Sequence, residues 1–262
     1  MHSNNTQEKQ VVKTSWQPVA KWYDKLVGDK GQYYHQHVVL PNVLRLLSLS
    51  DSSKLLDIAC GQGIVARSIA TSVEYTGFDI APELINSAKK LDHNPKHTYH
   101  IADATKPFPV GEKQFTHATI ILALQNIEFP ETVIQQTAKH LESNGTIVLV
   151  LNHPAFRIPR QSSWGIDESS KLQYRKVNRY LSPLKIPITM NPSQKQSALT
   201  WSFHNPISYY VNLLSKEGFV IDALEEWASD KESVGKASKM ENRSRAEIPL
   251  FMAIRAKILK KI

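Results

Sequence analysis

The sequence contains a single cysteine, Cys60, among 262 residues. An internal disulfide is therefore excluded, which agrees with a reducing compartment. Zinc and iron–sulfur sites that need several thiolates from one chain are excluded for the same reason. The ten histidines do not pair with carboxylates on one predicted helix face, so no metal site is predicted.

Long apolar runs are also missing. No stretch approaches the roughly 20 apolar residues that a membrane-spanning helix needs, and polar residues 1–13 lack the apolar core of a signal peptide. A cytoplasmic protein is the resulting expectation. Hydrophobic residues still make up 41% of the chain, which is enough for a packed core. The length fits one large domain, or one domain with an insertion.

The formal net charge is +8, which can attract nucleic acid or an acidic substrate. The basic residues are spread along the chain rather than gathered in one tract, and no RNA-binding module signature is found. A solvated basic surface is therefore the simpler interpretation.

Short apolar runs alternate with segments of helical period through the middle of the chain. Strands are predicted at residues 55–59, 75–79, 98–102, 115–123 and 146–151, and helices at 64–71, 82–91 and 131–141. This alternation predicts a doubly wound α/β fold, with a mostly parallel sheet covered on both faces. The ligand crevice of such a fold lies at the carboxyl ends of the strands.

The flanking segments are predicted to form one domain with this core, over residues 15–262. Residues 1–14 are predicted to be a flexible arm, and residues 15–50 to form N-terminal helices, with Pro41 early in the second. Residues 152–203 are rich in Pro, Ser, Tyr, Trp and Arg and are too long for a structureless connection. They are predicted to form a cap over the crevice. The alternation returns afterwards, with a helix at 207–217, strands at 219–225 and 250–256, and a polar loop at 229–247.

Three features follow three successive predicted strands. The first is the Asp-Ile-Ala-Cys-Gly-Gln-Gly run at residues 57–63, in which Gly61 and Gly63 permit a tight turn and close approach of the backbone to a ligand. Asp79 ends the second strand, where a carboxylate accepts hydrogen bonds from ribose hydroxyls. Asp103 follows the third, where it can accept one from the adenine amine. Each feature alone is also typical of a turn or cap, but their order indicates a site for an adenosine-bearing ligand.

With these motifs, residues 55–151 resemble the class I S-adenosylmethionine (SAM)-dependent methyltransferases, in particular the small-molecule group of the ubiquinone and menaquinone biosynthesis type. The resemblance implies a seven-stranded Rossmann-like sheet with a final antiparallel strand, SAM as cofactor and S-adenosylhomocysteine (SAH) as product. One departure is Ala59, which stands at the family's first glycine position. The implied cofactor-binding residues are Tyr23, Asp57, Ala59, Gly61, Gln62, Gly63, Asp79, Ile80, Asp103, Ala104 and Leu122.

The resemblance also implies transfer of a methyl group to an oxygen, nitrogen or activated carbon of a small molecule. His153, directly after the fifth strand, and His204, at the end of the cap, are candidate general bases, because imidazole takes a proton near neutral pH. Either histidine could equally order a turn. The candidate acceptor-binding residues are Tyr33, Tyr34, Gln125, Asn126, Asn152, Trp164, Tyr174 and Tyr180. Arg157 and Arg160 could bind an acidic acceptor.

Three alternatives stay open. The basic charge leaves room for an RNA methyltransferase, and the fold alone does not exclude a SAM-binding module without catalysis. Gly61, Gly63 and Ala66 also satisfy the spacing of an NAD(P)-dependent oxidoreductase. Against that class, no Tyr is followed four residues later by Lys, so the usual short-chain reductase pair is missing.

Overall fold

The computed structural model describes residues 16–28, 30–191 and 197–259, so the predicted arm at residues 1–14 lies outside the described residues. Its centre is a seven-stranded sheet. In spatial order the strands are β10 (Phe219–Trp227), β11 (Phe251–Ile258), β5 (Leu141–Asn152), β4 (Phe115–Ile121), β1 (Lys54–Ile58), β2 (Glu74–Asp79) and β3 (His97–Ile101). Strand β11 is antiparallel to both its neighbours, and the other pairs are parallel. The predicted fold class is confirmed.

Both faces of the sheet are covered, which explains why its central strands are apolar throughout. Along β5, Ile147 and Leu149 belong to one core cluster, whereas Val148 and Val150 belong to the other, as the two-residue period of a strand requires. The first cluster packs against helices α4 (Pro130–His140) and α5 (Ile207–Lys216). The second packs against α2 (Leu40–Leu47) and α3 (Pro82–Leu91).

The N-terminal helices are α1 (Ala20–Val27) and α2, and α2 continues a helical segment that starts at Tyr33. Pro41 is the second residue of α2, as the sequence predicted, but it also lies inside this longer helical segment. Proline lacks an N–H and crowds the carbonyl four residues earlier. A π-helical turn, His35–Val39, precedes it, and the Leu40 N–H donates to the His35 carbonyl five residues back. This wider turn accommodates the proline.

Two segments differ from the sequence prediction. The predicted helix at residues 64–71 is only a 3₁₀ turn, Ala66–Ser68, because the stretch is short for a costly helix nucleus and begins with β-branched residues. The predicted loop at 229–247 contains helix α6 (Ser238–Glu247). It lacks an apolar stripe and is held by Ser244, whose Oγ donates to Gln173 Oε1 at 2.8 Å. None of the helices in the described ranges is both long and apolar enough to cross a bilayer.

Residues 152–203 contain two antiparallel hairpins. The first pairs β6 (Ser162–Asp167) with β7 (Leu172–Val177), and the second pairs β8 (Leu184–Thr189) with β9 (Leu199–His204). The Asn126 Nδ2 donates to the Trp201 carbonyl at 3.1 Å. This bond fastens β9 to the turn that follows β4, so the second hairpin lies beside the carboxyl ends of the parallel strands.

Candidate active site

A cavity of about 580 Å³ opens at the carboxyl ends of the parallel strands. Its volume lies within the range of sites for small organic ligands, roughly 300–1,000 Å³. Many of the predicted cofactor residues line it together: Tyr23, Ala59, Gly61, Asp79, Ile80, Asp103, Ala104 and Leu122. The sequence therefore located the crevice correctly.

The loop after β1 turns sharply because Ala59, Gly61 and Gly63 all have positive φ angles, of 58°, 56° and 72°. A Cβ on Gly63 would lie 2.8 Å from the Tyr99 hydroxyl, so only glycine fits there. At Gly61 a Cβ would meet nothing, and the backbone angle alone favours glycine. Ala59 adopts the same left-handed conformation with a side chain, which is a strained arrangement.

Asp79 fixes this loop from the end of β2. Its Oδ2 accepts a hydrogen bond from the Gly61 N–H at 3.0 Å, and its Oδ1 accepts one from the Ala81 N–H at 2.8 Å. Burial raises the pKa of this carboxyl, while the backbone donors oppose the shift. A carboxylate has about four lone-pair positions, and the Ala81, Gly61 and Ile80 N–H groups engage up to three of them, so Asp79 can hold the loop and still accept a bond from a hydroxyl in the cavity.

Two further side chains at this end suit an adenosine. Asp103 lines the cavity, and its Oδ1 accepts from the Thr105 N–H and hydroxyl, both at 2.8 Å, which fixes the carboxyl in place. Tyr23 reaches the cavity from α1. Burial, aided by the nearby Asp79 charge, raises the pKa of Tyr23 to about 12, so its hydroxyl stays protonated and able to donate. Polar groups on successive strand ends therefore fit SAM.

Asp57, Gln62 and Gly63 were expected to contact the cofactor, but they do not line the cavity. The Tyr75 hydroxyl donates to Asp57 Oδ2 at 2.7 Å, and burial raises the pKa of Asp57 to about 7, with the neighbouring Asp79 adding to the shift. Gln62 is buried, and its Nε2 donates to the Gly28 carbonyl at 3.0 Å. These contacts indicate that the three residues support the loop.

The rest of the cavity contains several of the predicted acceptor residues: Tyr34, Gln125, Asn126 and Asn152. Gln125 is buried and donates from Nε2 to the Leu122 carbonyl at 2.8 Å, while its Oε1 has no partner among the described residues. Sequence reasoning did not assign Gln32, His35, Ile188, Ser202 and Phe251, which also line this cavity. Ile188 and Ser202 come from the second cap hairpin, whose position depends on long-range contacts that no local pattern encodes.

The other predicted aromatic residues do not line the cavity. The Tyr33 hydroxyl donates to Asp230 Oδ2 at 3.0 Å, and the Tyr180 hydroxyl accepts from the Ile207 N–H at 3.1 Å. Trp164 and Tyr174 are exposed on the first hairpin, where Arg175 stacks over the Trp164 ring. The structure favours packing and surface contacts for these four residues over the acceptor binding expected from sequence.

The geometry also favours a structural role for both candidate bases. His153 is buried, and its Nδ1 accepts bonds from the Ala155 and Phe156 N–H groups, which leaves Nε2 to donate to Glu226 Oε1 at 2.6 Å. His204 donates from Nε2 to the Tyr180 carbonyl at 2.7 Å. Burial lowers the pKa of both rings. Neither lines the main cavity, because their ring nitrogens order the turns around them instead.

His35 is a histidine that does line the cavity. It is buried in the π-helical turn, its Nδ1 has no hydrogen-bond partner among the described residues, and burial lowers its pKa. Its ring is therefore neutral near pH 7. Within the described ranges, no group of three or more His, Cys, Asp or Glu side chains is arranged to hold a metal ion.

Comparison with known proteins agrees with this geometry. Residues 56–149 match a family described as "Methyltransferase domain". The ubiquinone biosynthesis O-methyltransferase of Hydrogenovibrio crunogenus is 24% identical over 132 residues, covering 48% of this chain and 53% of that protein. The demethylmenaquinone methyltransferase of Staphylococcus aureus is 21% identical over 165 residues, covering 61% and 68%. A solved SAM-dependent methyltransferase from Mesorhizobium loti has a TM-score of 0.67 at 22% identity, covering 88% of this chain and 100% of that one.

The sheet order, the loop after β1 and the acidic strand ends define a class I methyltransferase fold. Residues 56–149 therefore match a methyltransferase domain, and the fold of the chain is that of class I SAM-dependent methyltransferases. The chain spans about half the length of the ubiquinone biosynthesis enzyme that it matches.

Proposed function

We propose that this chain transfers the methyl group of SAM to an oxygen, nitrogen or activated carbon of a small molecule. The observation that carries the proposal is one cavity with two ends. Gly61, Asp79 and Asp103 line one end, and Asn152 and Ser202 line the other. A cofactor and an acceptor can therefore meet inside the same enclosure.

SAM, when bound, would supply a methyl group on a sulfonium: an electron pair of the acceptor would form the new bond to the methyl carbon, the electrons of the carbon–sulfur bond would stay on sulfur, and the O–H, N–H or C–H proton of the acceptor would pass to solvent. The chain's own residues supply alignment. Asp79 and Asp103 hold the ribose and adenine groups from fixed strand ends. The second cap hairpin encloses the acceptor and limits water, so the nucleophile is presented in line.

A small-molecule acceptor is favoured over RNA. The two relatives described above are a ubiquinone biosynthesis O-methyltransferase and a demethylmenaquinone methyltransferase. The site of this chain is a cavity of about 580 Å³, a size typical of sites for small organic ligands. A cytoplasmic location belongs to the same proposal, supported by Cys60, which is buried and unpaired.

Calorimetric titration of the chain with SAM, SAH and NADH tests this function. We expect SAM and SAH to bind and NADH to give no response. Asp79→Ala should weaken SAM binding at least about tenfold, because a buried charge-assisted hydrogen bond is worth roughly 1.5–3 kcal/mol.

The matched control is Glu112→Ala, which removes an exposed carboxylate and should leave SAM affinity unchanged. Binding of NADH alone would overturn the proposal in favour of an oxidoreductase. Unchanged SAM affinity in Asp79→Ala would remove the ribose assignment.

A further inference from the structure

The part of the cavity lined by Gln125, Asn152, Arg157, Ser202 and Phe251 is here named the acceptor end. All of these except Phe251 also line a small side pocket of about 30 Å³, so Arg157 and Gln125 lie close to one another. Two polar groups at this end, the Arg157 guanidinium and Gln125 Oε1, have no hydrogen-bond partner among the described residues. Their chemistry indicates what kind of molecule fits.

Arg157 is a cation without a counter-ion. None of the ion pairs among the described residues involves it, and no hydrogen bond of its guanidinium to a described residue is found. Its Cζ lies 5.7 Å from the centre of the Phe251 ring. Arg157 is exposed at the mouth of the cavity, yet partial desolvation lowers its pKa, and the nearby positive charge of Arg175 lowers it further.

Arg175, by contrast, already donates hydrogen bonds within the protein. Its Nε donates to the Phe156 carbonyl at 2.7 Å and its Nη2 donates to Ser162 Oγ at 2.9 Å. Arg175 does not line the cavity itself, but its positive charge lies near that of Arg157. The guanidinium N–H groups of Arg157 have no acceptor among the described residues. Of the two arginines, Arg157 is therefore the one that can bind a planar or tetrahedral oxyanion through two parallel N–H bonds.

Gln125 needs a hydrogen-bond donor as its partner, whereas Arg157 needs an acceptor. Its side chain is 9% exposed, and its orientation is fixed because Nε2 donates to the Leu122 carbonyl. Oε1 is thereby left as a buried acceptor without a partner among the described residues. An unpaired buried acceptor destabilises the empty site, and a ligand O–H or N–H would satisfy it.

We propose that the acceptor end binds a small molecule that carries an oxyanion group at Arg157 and a hydroxyl or amino group at Gln125 Oε1. The proposal rests on the proposed methyl transfer and narrows its substrates to hydroxy or amino acids and their phosphate counterparts. Gln125 lies in the 3₁₀ turn Leu124–Asn126 that follows β4, and it bonds the carbonyl of Leu122, which lines the cavity and is a predicted cofactor residue. The group held at Oε1 is therefore the one to be methylated.

The first test asks whether Arg157 binds an oxyanion. Benzoate, phenyl phosphate and benzamide are each titrated into the chain saturated with SAH. Benzamide has the shape of benzoate without its charge. We expect both anions to bind the wild-type chain at least about tenfold more tightly than benzamide. Arg157→Gln should lose this preference. Arg160→Gln is the matched control, since Arg160 lies in the same segment, is exposed and does not line the cavity.

The hydroxyl half is tested with the three hydroxybenzoate isomers. At least one should bind the wild-type chain more tightly than benzoate, and Gln125→Leu should abolish that gain while keeping benzoate binding. SAH affinity should be the same in every variant. Equal binding of benzoate and benzamide would overturn the proposal, as would a loss of SAH affinity in Arg157→Gln, which would assign Arg157 to the cofactor's own carboxylate.

The two proposals fail in different ways. If the wild-type chain does not bind SAH, methyl transfer is contradicted, but the same anion titration without SAH still decides whether Arg157 selects oxyanions. If SAH binds and the anion preference is missing, methyl transfer stands and the acceptor class proposed here is wrong.

Discussion

Ala59 is the residue at which this chain departs from the glycine pattern of the methyltransferases that it resembles, and its backbone conformation is strained. Its φ of 58° lies in the left-handed region, which disfavours any residue with a Cβ by roughly 1–2 kcal/mol. Ala59→Gly should therefore raise the free energy of unfolding by about 1 kcal/mol, measured by urea denaturation. Ala88→Gly, inside α3, is the control with the opposite sign, because glycine weakens a helix interior. A less stable Ala59→Gly variant would contradict the strain at this position.

The sequence alone did not show which histidine lines the cavity: His35 does, whereas His153 and His204 do not. His153 lies directly after β5, as predicted, but the direction of its ring depends on Glu226 and on backbone N–H groups that it meets only in the folded chain. His35 lies in the cavity because a π-helical turn before Pro41 carries it there. Asp79 and Asp103 were placed at the cavity from sequence because strand ends are fixed by short-range patterns.

The elements of the sheet were predictable to within a few residues, whereas the cap was not. Buried parallel strands and amphipathic helices have periods that can be counted along the chain. The hairpins formed by β6 to β9 carry mixed apolar and charged residues, and their bounds were not predicted. Their positions depend on contacts distant in sequence, such as that between Asn126 and Trp201.

That contact gives a prediction for the second cap hairpin. Asn126→Ala removes the donor to the Trp201 carbonyl, so amide hydrogen exchange should accelerate in peptides from β8 and β9 while peptides from β1 and β5 stay protected. The measurement is exchange followed by mass spectrometry. Asn178→Ala is the control: it removes an exposed hydrogen bond from the Asn178 side chain to Gln161, and it should leave exchange in the hairpin peptides unchanged. Equal exchange in both variants would show that Asn126 does not fasten the cap.

For the whole molecule, the buried carboxyl of Asp57 couples stability to pH. Its pKa is about 7 in the folded chain against an ordinary value of 3.8, with burial as the main cause. Between these values the folded state holds a proton that the unfolded state has released. Stability therefore decreases as the pH rises through this interval and levels off above about pH 7. The Tyr75 hydroxyl opposes the shift by donating to the carboxylate, but the cost of burying the charge is larger.

Asp57→Asn keeps an oxygen that accepts the hydrogen bond from the Tyr75 hydroxyl, but it removes the titratable carboxyl. Between about pH 5 and about pH 8, the wild-type chain should lose roughly 3 kcal/mol of unfolding free energy relative to this variant. Urea denaturation at the two pH values measures the difference, and Glu112→Gln, which removes an exposed carboxylate, should follow the wild-type profile. Parallel profiles for wild type and Asp57→Asn would mean that Asp57 is charged throughout. The loop after β1 would then rest on a buried ion rather than on a protonated carboxyl.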